Sequence, residues 1–341
     1  MRDTEKIGIL LVNTGSPEAP EIVETRAYLR QFLSDPRVID IAPWKRWLLL
    51  NLVILPFRPR RSARAYRRIW MEGGSPLLVN SRAFREALAP HLPEAEIEIA
   101  MACGNPSLFA SMNSLIEKGA ERIVAVPMFP QYASATYGSV LEAVYGTAGK
   151  MKNVPAITVL PPFYNDAGFL DAWAETARPQ LDAFEPDHIL FSFHGLPERQ
   201  IRDCDPTDSH CLASDDCCER YTEANPHCYR AHCLQTVGGI VERLGLAEDT
   251  YTVVFQSRLG RGRWLAPATD KMLVIKAKEG VKRLAVMSPA FVADCLETLE
   301  ELGMRGKESF QNSGGEELLL VSSLNAHPSW VKAFATLVRP L

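Results

Sequence analysis

Short apolar runs alternate along the chain with longer segments in which apolar residues recur every three or four positions. Short runs rich in Val, Ile, Leu and Phe are typical of buried strands, and the longer period is typical of amphipathic helices. Their regular alternation predicts βαβ units and parallel sheets. We predict strands at 7–12, 96–102, 122–127, 157–160, 188–193, 252–256, 283–287 and 317–321, and helices at 21–33, 80–91, 107–118, 166–183, 231–244, 269–279, 294–303 and 328–338.

Two local similarities relate the halves of the chain. VNTGSP at 12–17 resembles SFHGLP at 192–197, and RIVAVPMFPQYAS at 122–134 resembles RLAVMSPAFVADC at 283–295. Their unequal spacing leaves open both an old duplication and a chance similarity of strand-to-helix turns. In either case the predicted fold is α/β, with two similar Rossmann-like lobes, each a four-stranded parallel sheet flanked by helices. We expect the active site in the cleft between the lobes.

The expected domains are an N-terminal lobe at 1–165, a C-terminal lobe at 166–326 and a C-terminal helix at 327–341. Two segments interrupt the alternation within them. Residues 43–70 combine an apolar run, three Trp and many Arg, and we interpret them as an apolar lip on the first lobe. Residues 202–233 are polar and rich in Cys, which predicts an insertion that something other than a hydrophobic core holds together.

Composition narrows the function classes. The chain has 341 residues, 47% of them hydrophobic, and a net charge of −4, so the basic footprint of a nucleic-acid-binding protein is absent. The longest apolar run, at 47–57, is about half the length that a membrane-spanning helix needs. With no signal-peptide pattern at the N-terminus, we expect a cytoplasmic protein.

A histidine and three carboxylates stand where ligands bind in open α/β sheets. His194 directly follows the fifth predicted strand, and Asp294, Glu297 and Glu301 share one face of the helix after the seventh. Imidazole and carboxylate together suit a borderline divalent ion such as Fe²⁺ or Zn²⁺, and also proton abstraction. A histidine satisfied by backbone and a solvated acidic helix face remain the alternatives.

Residues 256–265 (QSRLGRGRWL) lie between these candidates in the sequence. They lack the spacing of a phosphate-binding glycine motif. Three Arg and Trp264 instead suit a flat aromatic ligand that carries carboxylates, because Arg binds carboxylates in pairs of hydrogen bonds and Trp provides an apolar wall.

Five co-linear segments resemble the ferrochelatase family. They are ILFSFHGLPER at 189–199, VVFQSRLGRGRWLAPATD at 253–270, VMSPAFVADCLETLEE at 286–301, PMFPQYASATYGSV at 127–140 and NTGSPEAP at 13–20. The resemblance implies a lyase of heme biosynthesis that inserts Fe²⁺ into protoporphyrin IX and releases two protons. It implies that His194 and Glu297 act at the metal and proton-abstraction site, with Asp294 and Glu301 extending a carboxylate path.

The same resemblance gives roles to residues outside this site. It suggests Tyr132, Tyr137, Trp264 and Pro289 as walls that bend the porphyrin. It also makes residues 43–61 candidates for covering the apolar edge of the porphyrin or for contacting a bilayer surface. A buried helix with a basic end is the alternative for that segment.

Six cysteines fall within thirty residues, at 204, 211, 217, 218, 228 and 233. Without an export signal, dense cysteines indicate metal or redox chemistry rather than disulfides. Because some bacterial ferrochelatases hold a [2Fe-2S] cluster in such a segment, we expect one here, with structural Zn²⁺ as the alternative and free thiols as a third. The favoured ligands are Cys211, Cys218, Cys228 and Cys233, with Cys217 as the alternative to Cys218.

Two other functions stay open at this point. A chelatase of different specificity would insert cobalt or nickel into a sirohydrochlorin-type ring, or iron into coproporphyrin. A two-lobed nucleic-acid-binding sensor would use the Cys/His segment and the Arg residues at 58–68, but the acidic net charge argues against it. The sequence leaves the oligomeric state open.

Overall fold

The computed structural model of the protein describes residues 6–258, 262–339 and 341. The chain divides into two compact units. One combines Met1–Phe129, Ser134–Pro161 and Val331–Leu341, and the other combines Pro130–Ala133 and Pro162–Trp330. The domain boundaries predicted at 165 and 326 stay predictions.

A four-stranded parallel sheet forms the centre of the first unit, in the order β2-β1-β3-β4. Helices pack against it, so β1 and β3 are apolar along nearly their whole length rather than at alternate positions. The strands are β1 (Ile7–Gly15), β2 (Ala95–Cys103), β3 (Arg122–Pro127) and β4 (Ala156–Val159).

The helices of the first unit are α1 (Ile22–Ser34), α2 (Pro43–Leu48), α3 (Leu55–Ile69), α4 (Pro76–Leu88), α5 (Leu108–Glu117) and α6 (Ser139–Ala148). Two π-helices, π1 (Leu49–Ile54) and π2 (Ser134–Gly138), and a short 3₁₀ turn (Ala89–His91) complete it. Together α2, π1 and α3 form a nearly continuous helical arm over residues 43–69, which the sequence analysis described only as an apolar lip.

The second unit repeats this arrangement, with strand order β6-β5-β7-β8. Its strands are β5 (His188–His194), β6 (Tyr251–Gln256), β7 (Arg283–Met287) and β8 (Glu317–Leu320). Its helices are α7 (Ala167–Phe184), α8 (Glu198–Arg202), α9 (Tyr229–Leu244), α10 (Thr269–Lys278), π3 (Glu297–Gly306) and α11 (Lys307–Asn312), with a 3₁₀ turn at Glu248–Thr250. The last helix, α12 (Pro328–Val338), begins in this unit, and its residues from Val331 onwards belong to the first unit.

The two sheets correspond strand by strand, and the predicted α/β fold with two four-stranded parallel sheets is confirmed. The sequence similarities fall at equivalent places. Gly15 ends β1 and Gly195 follows β5, each strand lying second in its sheet. A Cβ at Gly15 would lie 1.8 Å from the Cys103 carbonyl oxygen, and one at Gly195 would lie 2.8 Å from that of Gln256. Neither position has room for a side chain, so both turns require glycine.

One predicted helix differs in kind from the structure. The segment expected as a helix at 294–303 is π-helical over Glu297–Gly306, and Asp294 precedes it. The expectation that Asp294, Glu297 and Glu301 share one helical face is therefore wrong for Asp294. π-Helices are rare and occur frequently at functional sites.

Candidate functional site

His194 is the last residue of β5 and is half-buried at the carboxyl edge of the second sheet. Its Nδ1 lies 2.8 Å from the carbonyl oxygen of Gly195. A carbonyl only accepts hydrogen bonds, so we assign the ring proton of the neutral imidazole to Nδ1. This tautomer leaves the lone pair on Nε2, where it can take up a proton or coordinate a metal ion.

Glu297 begins π3, and Gln256 fixes this point of the chain. Gln256 ends β6 directly beside His194 in the strand register and is buried. Its side-chain oxygen accepts a hydrogen bond from Ser192 Oγ (2.8 Å), and its Nε2 donates to the Glu297 carbonyl oxygen (3.1 Å). The sequence analysis missed this link. The sequence feature that could have indicated this link is that Gln256 is the last residue of an apolar strand, as His194 is.

Glu301 lies one turn beyond Glu297 on π3 and interacts electrostatically with both Glu297 and His194. Burial raises the pKa of Glu301, and the negative charge of Glu297 adds to this effect. A hydrogen bond from Ser257 Oγ (2.8 Å) and the positive charge of Arg305, 3.7 Å away, oppose it. Glu301 therefore lies near both the His194 imidazole and the Glu297 carboxylate, and nitrogen and oxygen groups of this kind suit Fe²⁺ without thiolate.

Asp294 is held by its own surroundings. Its carboxylate accepts hydrogen bonds from Thr298 Oγ1 (3.0 Å), Asn325 Nδ2 (2.7 Å) and the Ser323 backbone N–H (3.4 Å). Asp294 therefore ties the start of π3 to the segment after β8. Its part in a carboxylate path stays a prediction.

Trp264 is half-buried beside the turn that follows His194. The segment Arg263–Leu265 runs alongside residues 196–198, with hydrogen bonds from Leu265 N to Leu196 O (3.0 Å) and from Glu198 N to Arg263 O (3.0 Å). Leu259, Gly260 and Arg261 of the same sequence segment lie outside the described residues. A cavity of about 210 Å³ adjoins Trp264 and Arg258, which is too small to hold a macrocycle.

The other predicted wall residues lie in different settings. Pro289 is buried just after β7. Tyr132 has its ring centre 5.0 Å from that of His227, and its backbone N–H donates to His232 Nδ1 (3.1 Å). Tyr137, in the first unit, is buried, and its hydroxyl donates to the Leu160 carbonyl oxygen (2.9 Å). Wall roles for these four residues stay predictions.

Four of the six clustered thiols touch one another within the second unit. We call them the four-thiol group: Cys211, Cys217, Cys218 and Cys228, all of them buried. The sulfur of Cys218 lies 3.5 Å from that of Cys217 and 3.8 Å from that of Cys228, and Cys211 hydrogen-bonds Cys228. The predicted ligand Cys233 lies apart from these contacts and hydrogen-bonds Tyr229.

Hydrogen bonds to sulfur favour a thiolate at Cys228, whereas burial raises the pKa of Cys211, and a hydrogen bond with Cys228 together with burial raises that of Cys218. Hydrogen bonds from Cys218 and from the backbone N–H groups of Ala231 and Arg230, at the start of α9, lower the pKa of Cys228 to about 6. The backbone of Leu212 (3.3 Å) and the guanidinium of Arg230 (3.6 Å) donate to Cys217. Among the described residues, no three His, Cys, Asp or Glu side chains converge as a site for a single metal ion.

The comparisons with known proteins bear on this arrangement. Residues 6–340 match the family model described as Ferrochelatase. The chain is 49% identical over 332 residues to a protein named Ferrochelatase from Azotobacter vinelandii, covering 97% of this chain and 98% of that one. It is 46% identical over 331 residues to a ferrochelatase of Pseudomonas fluorescens, covering 96% of each.

The chain belongs to the ferrochelatase family. Membership confirms the enzyme class expected from the sequence, a lyase that inserts metal into porphyrin in heme synthesis. Among solved structures, SirB from Bacillus subtilis with Fe³⁺ has a TM-score of 0.54 at 14% identity, over 98% of this chain and 94% of that one, and this likeness concerns the fold alone.

Two further findings concern the surface of the protein. Within the described residues, no helix is both long and apolar enough to span a bilayer. The helical arm over residues 43–69 buries Leu50, Ile54 and Leu55 against α1 and leaves other large apolar side chains exposed. The most exposed of these are Phe57 (74%), Trp44 (63%), Leu52 (61%) and Trp47 (60%).

Proposed function

We propose that the protein inserts Fe²⁺ into protoporphyrin IX and that His194 and Glu297 carry out the chemistry. The observation that carries this proposal is that Glu301 lies near both the His194 imidazole, with its lone pair on Nε2, and the Glu297 carboxylate at one edge of the second sheet. The family defines the reaction, and the geometry supports these residue roles.

The reaction needs a base and a loosely held metal ion. A free porphyrin carries two N–H protons that must leave as iron enters, and we assign Nε2 of His194, which carries the lone pair of the ring, to accept one of them. Glu297 offers an oxygen ligand, which binds Fe²⁺ less tightly than thiolate and so releases it to the ring. We assign to Glu301, whose pKa is raised by burial, the removal of protons or the delivery of metal along the carboxylate path with Asp294.

Binding a bent porphyrin more tightly than a flat one would accelerate the step, because only interactions stronger in the transition state raise the rate. Trp264 is the best placed of the proposed walls, since it packs beside the turn that follows His194. Tyr132, Tyr137 and Pro289 complete the proposed set of walls.

Heme formation in anaerobic assays tests the residue roles. We expect His194→Ala and Glu297→Gln each to lower kcat by about 10²- to 10⁴-fold, the usual contribution of a general acid or base. Glu316→Gln, at a surface carboxylate, is the control. If both site variants turned over like wild type, the assignment would be wrong. Insertion of iron into coproporphyrin, to give coproheme, without insertion into protoporphyrin IX would indicate a chelatase of the other specificity.

We further propose that the four-thiol group holds a [2Fe-2S] cluster. Such a cluster takes four Cys ligands divided between two irons, so pairs of neighbouring thiols fit it better than they fit a single Zn²⁺ ion. The hydrogen bonds to Cys217 and Cys228 would stabilise bound thiolates. Because metal insertion transfers no electrons, we assign the cluster a structural role.

Cys217 and Cys233 distinguish the ligand sets. We expect the as-purified wild type to contain iron, sulfide and visible charge-transfer absorption, and Cys217→Ser to lose them while Cys233→Ser keeps them. The opposite result would favour the ligand set predicted from the sequence, which contains Cys233 and not Cys217. If the purified wild type were colourless and contained one equivalent of zinc, the site would hold Zn²⁺ and not a [2Fe-2S] cluster.

We also propose that the helical arm contacts anionic membrane surfaces from the cytoplasmic side. Its exposed Trp and Phe side chains adjoin Arg58, Arg60 and Arg61, which are exposed as well. Apolar insertion combined with basic residues is typical of interfacial helices. We expect the protein to bind phosphatidylglycerol vesicles in a salt-sensitive way. Trp44→Ser and Phe57→Ser should weaken this binding, and the control Val154→Ser, at another exposed residue, should leave it unchanged. Equal binding by all variants would contradict this.

A further inference from the structure

Gln131 and Tyr132 follow β3 in the sequence but belong to the second unit, where both hydrogen-bond α9. The side chain of Gln131, which is buried, donates from Nε2 to Thr236 Oγ1 (3.0 Å). The backbone N–H of Tyr132 donates to Nδ1 of His232 (3.1 Å). Since His232 and Thr236 lie four residues apart on α9, one face of that helix makes both contacts. This face fixes the backbone that carries the proposed porphyrin wall Tyr132.

The imidazole of His232 joins this backbone to the loop between α8 and α9, which we call the cysteine loop (residues 203–228). A backbone N–H only donates, so Nδ1 accepts from Tyr132 and carries the lone pair of the neutral ring. Nε2 therefore carries the proton and donates to the Pro226 carbonyl oxygen (3.0 Å). The ring of His232 is buried and stacks on that of Tyr164, with centres 3.7 Å apart. Because both ring nitrogens are bonded and leaving either unpaired would cost free energy, the position of Tyr132 depends on that of Pro226.

The cysteine loop also contacts the Tyr132 ring directly. The centre of this half-buried ring lies 5.0 Å from that of the His227 ring, which is exposed. Aromatic rings attract each other at such distances, so His227 restricts the orientation of the Tyr132 side chain. The loop thus holds both the backbone and the ring of Tyr132.

The two loop residues that make these contacts lie next to the four-thiol group. Pro226 and His227 immediately precede Cys228, which is a member of that group and the N-cap of α9. The sulfur of Cys228 lies 3.8 Å from that of Cys218, and its carbonyl oxygen accepts a hydrogen bond from the backbone N–H of His232 (3.0 Å). The arrangement of the four thiols therefore determines where the contacts to Tyr132 are placed.

On the basis of the wall role assigned to Tyr132 in the proposed function, we propose that His232 is a positioning residue that holds Tyr132 in place and links it to the four-thiol group. The cysteine loop thereby has a task in substrate binding. Loss of the four-thiol arrangement releases the Tyr132 ring and weakens the binding of porphyrin, while His194 and Glu297 keep their places.

Binding of protoporphyrin IX without iron, followed by fluorescence quenching, tests the role of His232. His232→Leu has neither hydrogen bond, and we expect Kd to rise about tenfold, the effect of one lost hydrogen bond. His188→Leu is the matched control, because His188 is a buried histidine that hydrogen-bonds Thr252 Oγ1 (2.8 Å) at the opposite end of β5 from His194. We expect the control to lose stability and to keep Kd within about twofold of wild type. An unchanged Kd in His232→Leu, or an equal rise in the control, would overturn the proposal.

A double-mutant cycle shows whether His232 acts through the Tyr132 ring. Tyr132→Leu removes the ring and keeps the backbone N–H that donates to His232. We expect Tyr132→Leu to raise Kd for protoporphyrin IX, and His232→Leu to have little further effect in that background, since coupled residues are not additive. A merely structural role of His232 would raise Kd by the same factor in both backgrounds, and that result would contradict positioning.

Cys228→Ser tests the link to the four-thiol group. We expect this variant to lose iron and sulfide and to raise Kd for protoporphyrin IX about as much as His232→Leu does. Combining the two substitutions should add little to either alone. Cys103→Ser, at a half-buried thiol of the first unit, is the control and should leave Kd unchanged. An unchanged Kd in Cys228→Ser would remove the link.

A readout independent of porphyrin separates the positioning of Tyr132 from the proposed function. The ring signals of Tyr132, assigned by their absence in Tyr132→Leu, should move in the ¹³C–¹H spectra of His232→Leu and Cys228→Ser and stay in place in His188→Leu. If wild type bound no protoporphyrin IX and made no heme but these signals moved, the proposed function would fail and the positioning of Tyr132 would stand. Unmoved signals would refute the positioning role.

Discussion

Replacing Gln256 by Leu tests whether the strand edge holds Glu297 in place. The side chain of Gln256 spans from Ser192 to the Glu297 carbonyl, and Leu of similar size fills the space without either hydrogen bond. Ser192 keeps a second partner, Thr269 Oγ1 at 3.0 Å, so the contact that is lost without replacement is the one from Gln256 to the Glu297 carbonyl.

The magnitude follows from that single lost hydrogen bond. One hydrogen bond contributes about 0.5–1.5 kcal/mol net, so we expect the free energy of unfolding of the second unit to fall by about that much. Glu297 is also released to move relative to His194. Because a misplaced acid–base group loses much of its effect, we expect kcat to fall about 10- to 100-fold.

The assay compares Gln256→Leu with Gln180→Leu. Gln180 bridges α7 and the segment after β8 in a similar way, through Thr176 O (2.7 Å) and Ser322 Oγ (3.1 Å), but lies away from His194. Heme formation under anaerobic conditions gives kcat, and thermal unfolding gives stability. We expect both variants to lose stability and only Gln256→Leu to lose turnover. Turnover within twofold of wild type in Gln256→Leu would refute the positioning of Glu297.

Two further predictions concern backbone and charge. Gly195→Ala should abolish heme formation, because the new Cβ lies 2.8 Å from the Gln256 carbonyl oxygen. Gly238→Ala, where a Cβ in α9 meets open space, should instead raise the free energy of unfolding by about 1 kcal/mol. Equal stability and equal heme formation in the two variants would contradict this geometry. Backbone N–H groups, that of Cys211 first, hold the pKa of Asp205 well below its usual range. A carboxyl whose pKa is depressed on folding contributes stability above its unfolded pKa and loses it as pH falls through the folded value. The difference in free energy of unfolding between wild type and Asp205→Asn should therefore be constant near neutral pH and shrink below about pH 4. Unfolding measured at a series of pH values gives this difference. A difference that does not change with pH would argue against this role of Asp205.

Strand positions followed from the sequence because they depend on local pattern. The bounds predicted for β3 and β7 match the structure, and those of the other strands differ by at most a few residues. Strands of a parallel sheet are covered on both faces, so their apolar runs are continuous and easy to recognise. The helical arm was harder to recognise, because its exposed Trp and Phe do not follow the pattern of a helix with one buried face.

The type of helix was decided by tertiary packing. A π-helix and an α-helix use the same residue types and differ in whether N–H groups bond five or four residues back, so the pattern at 294–303 did not distinguish them. The helix type therefore affects the candidate metal site: Glu297 and Glu301 lie on π3, whereas Asp294 precedes it and hydrogen-bonds Asn325 and Ser323.

Candidate catalytic and ligand residues at strand ends could be named from the sequence, because the carboxyl ends of parallel strands lie side by side at one edge of the sheet. His194 and Glu297 were proposed in this way, whereas the six clustered cysteines were singled out by their density in a short segment. Which thiols touch, and which groups hold His194 and Glu297, depend on contacts between residues far apart in the chain. Gln256 reaches the site only because β6 pairs with β5. Local pattern determined the elements and candidate residues of this protein, whereas long-range packing alone determined their partners.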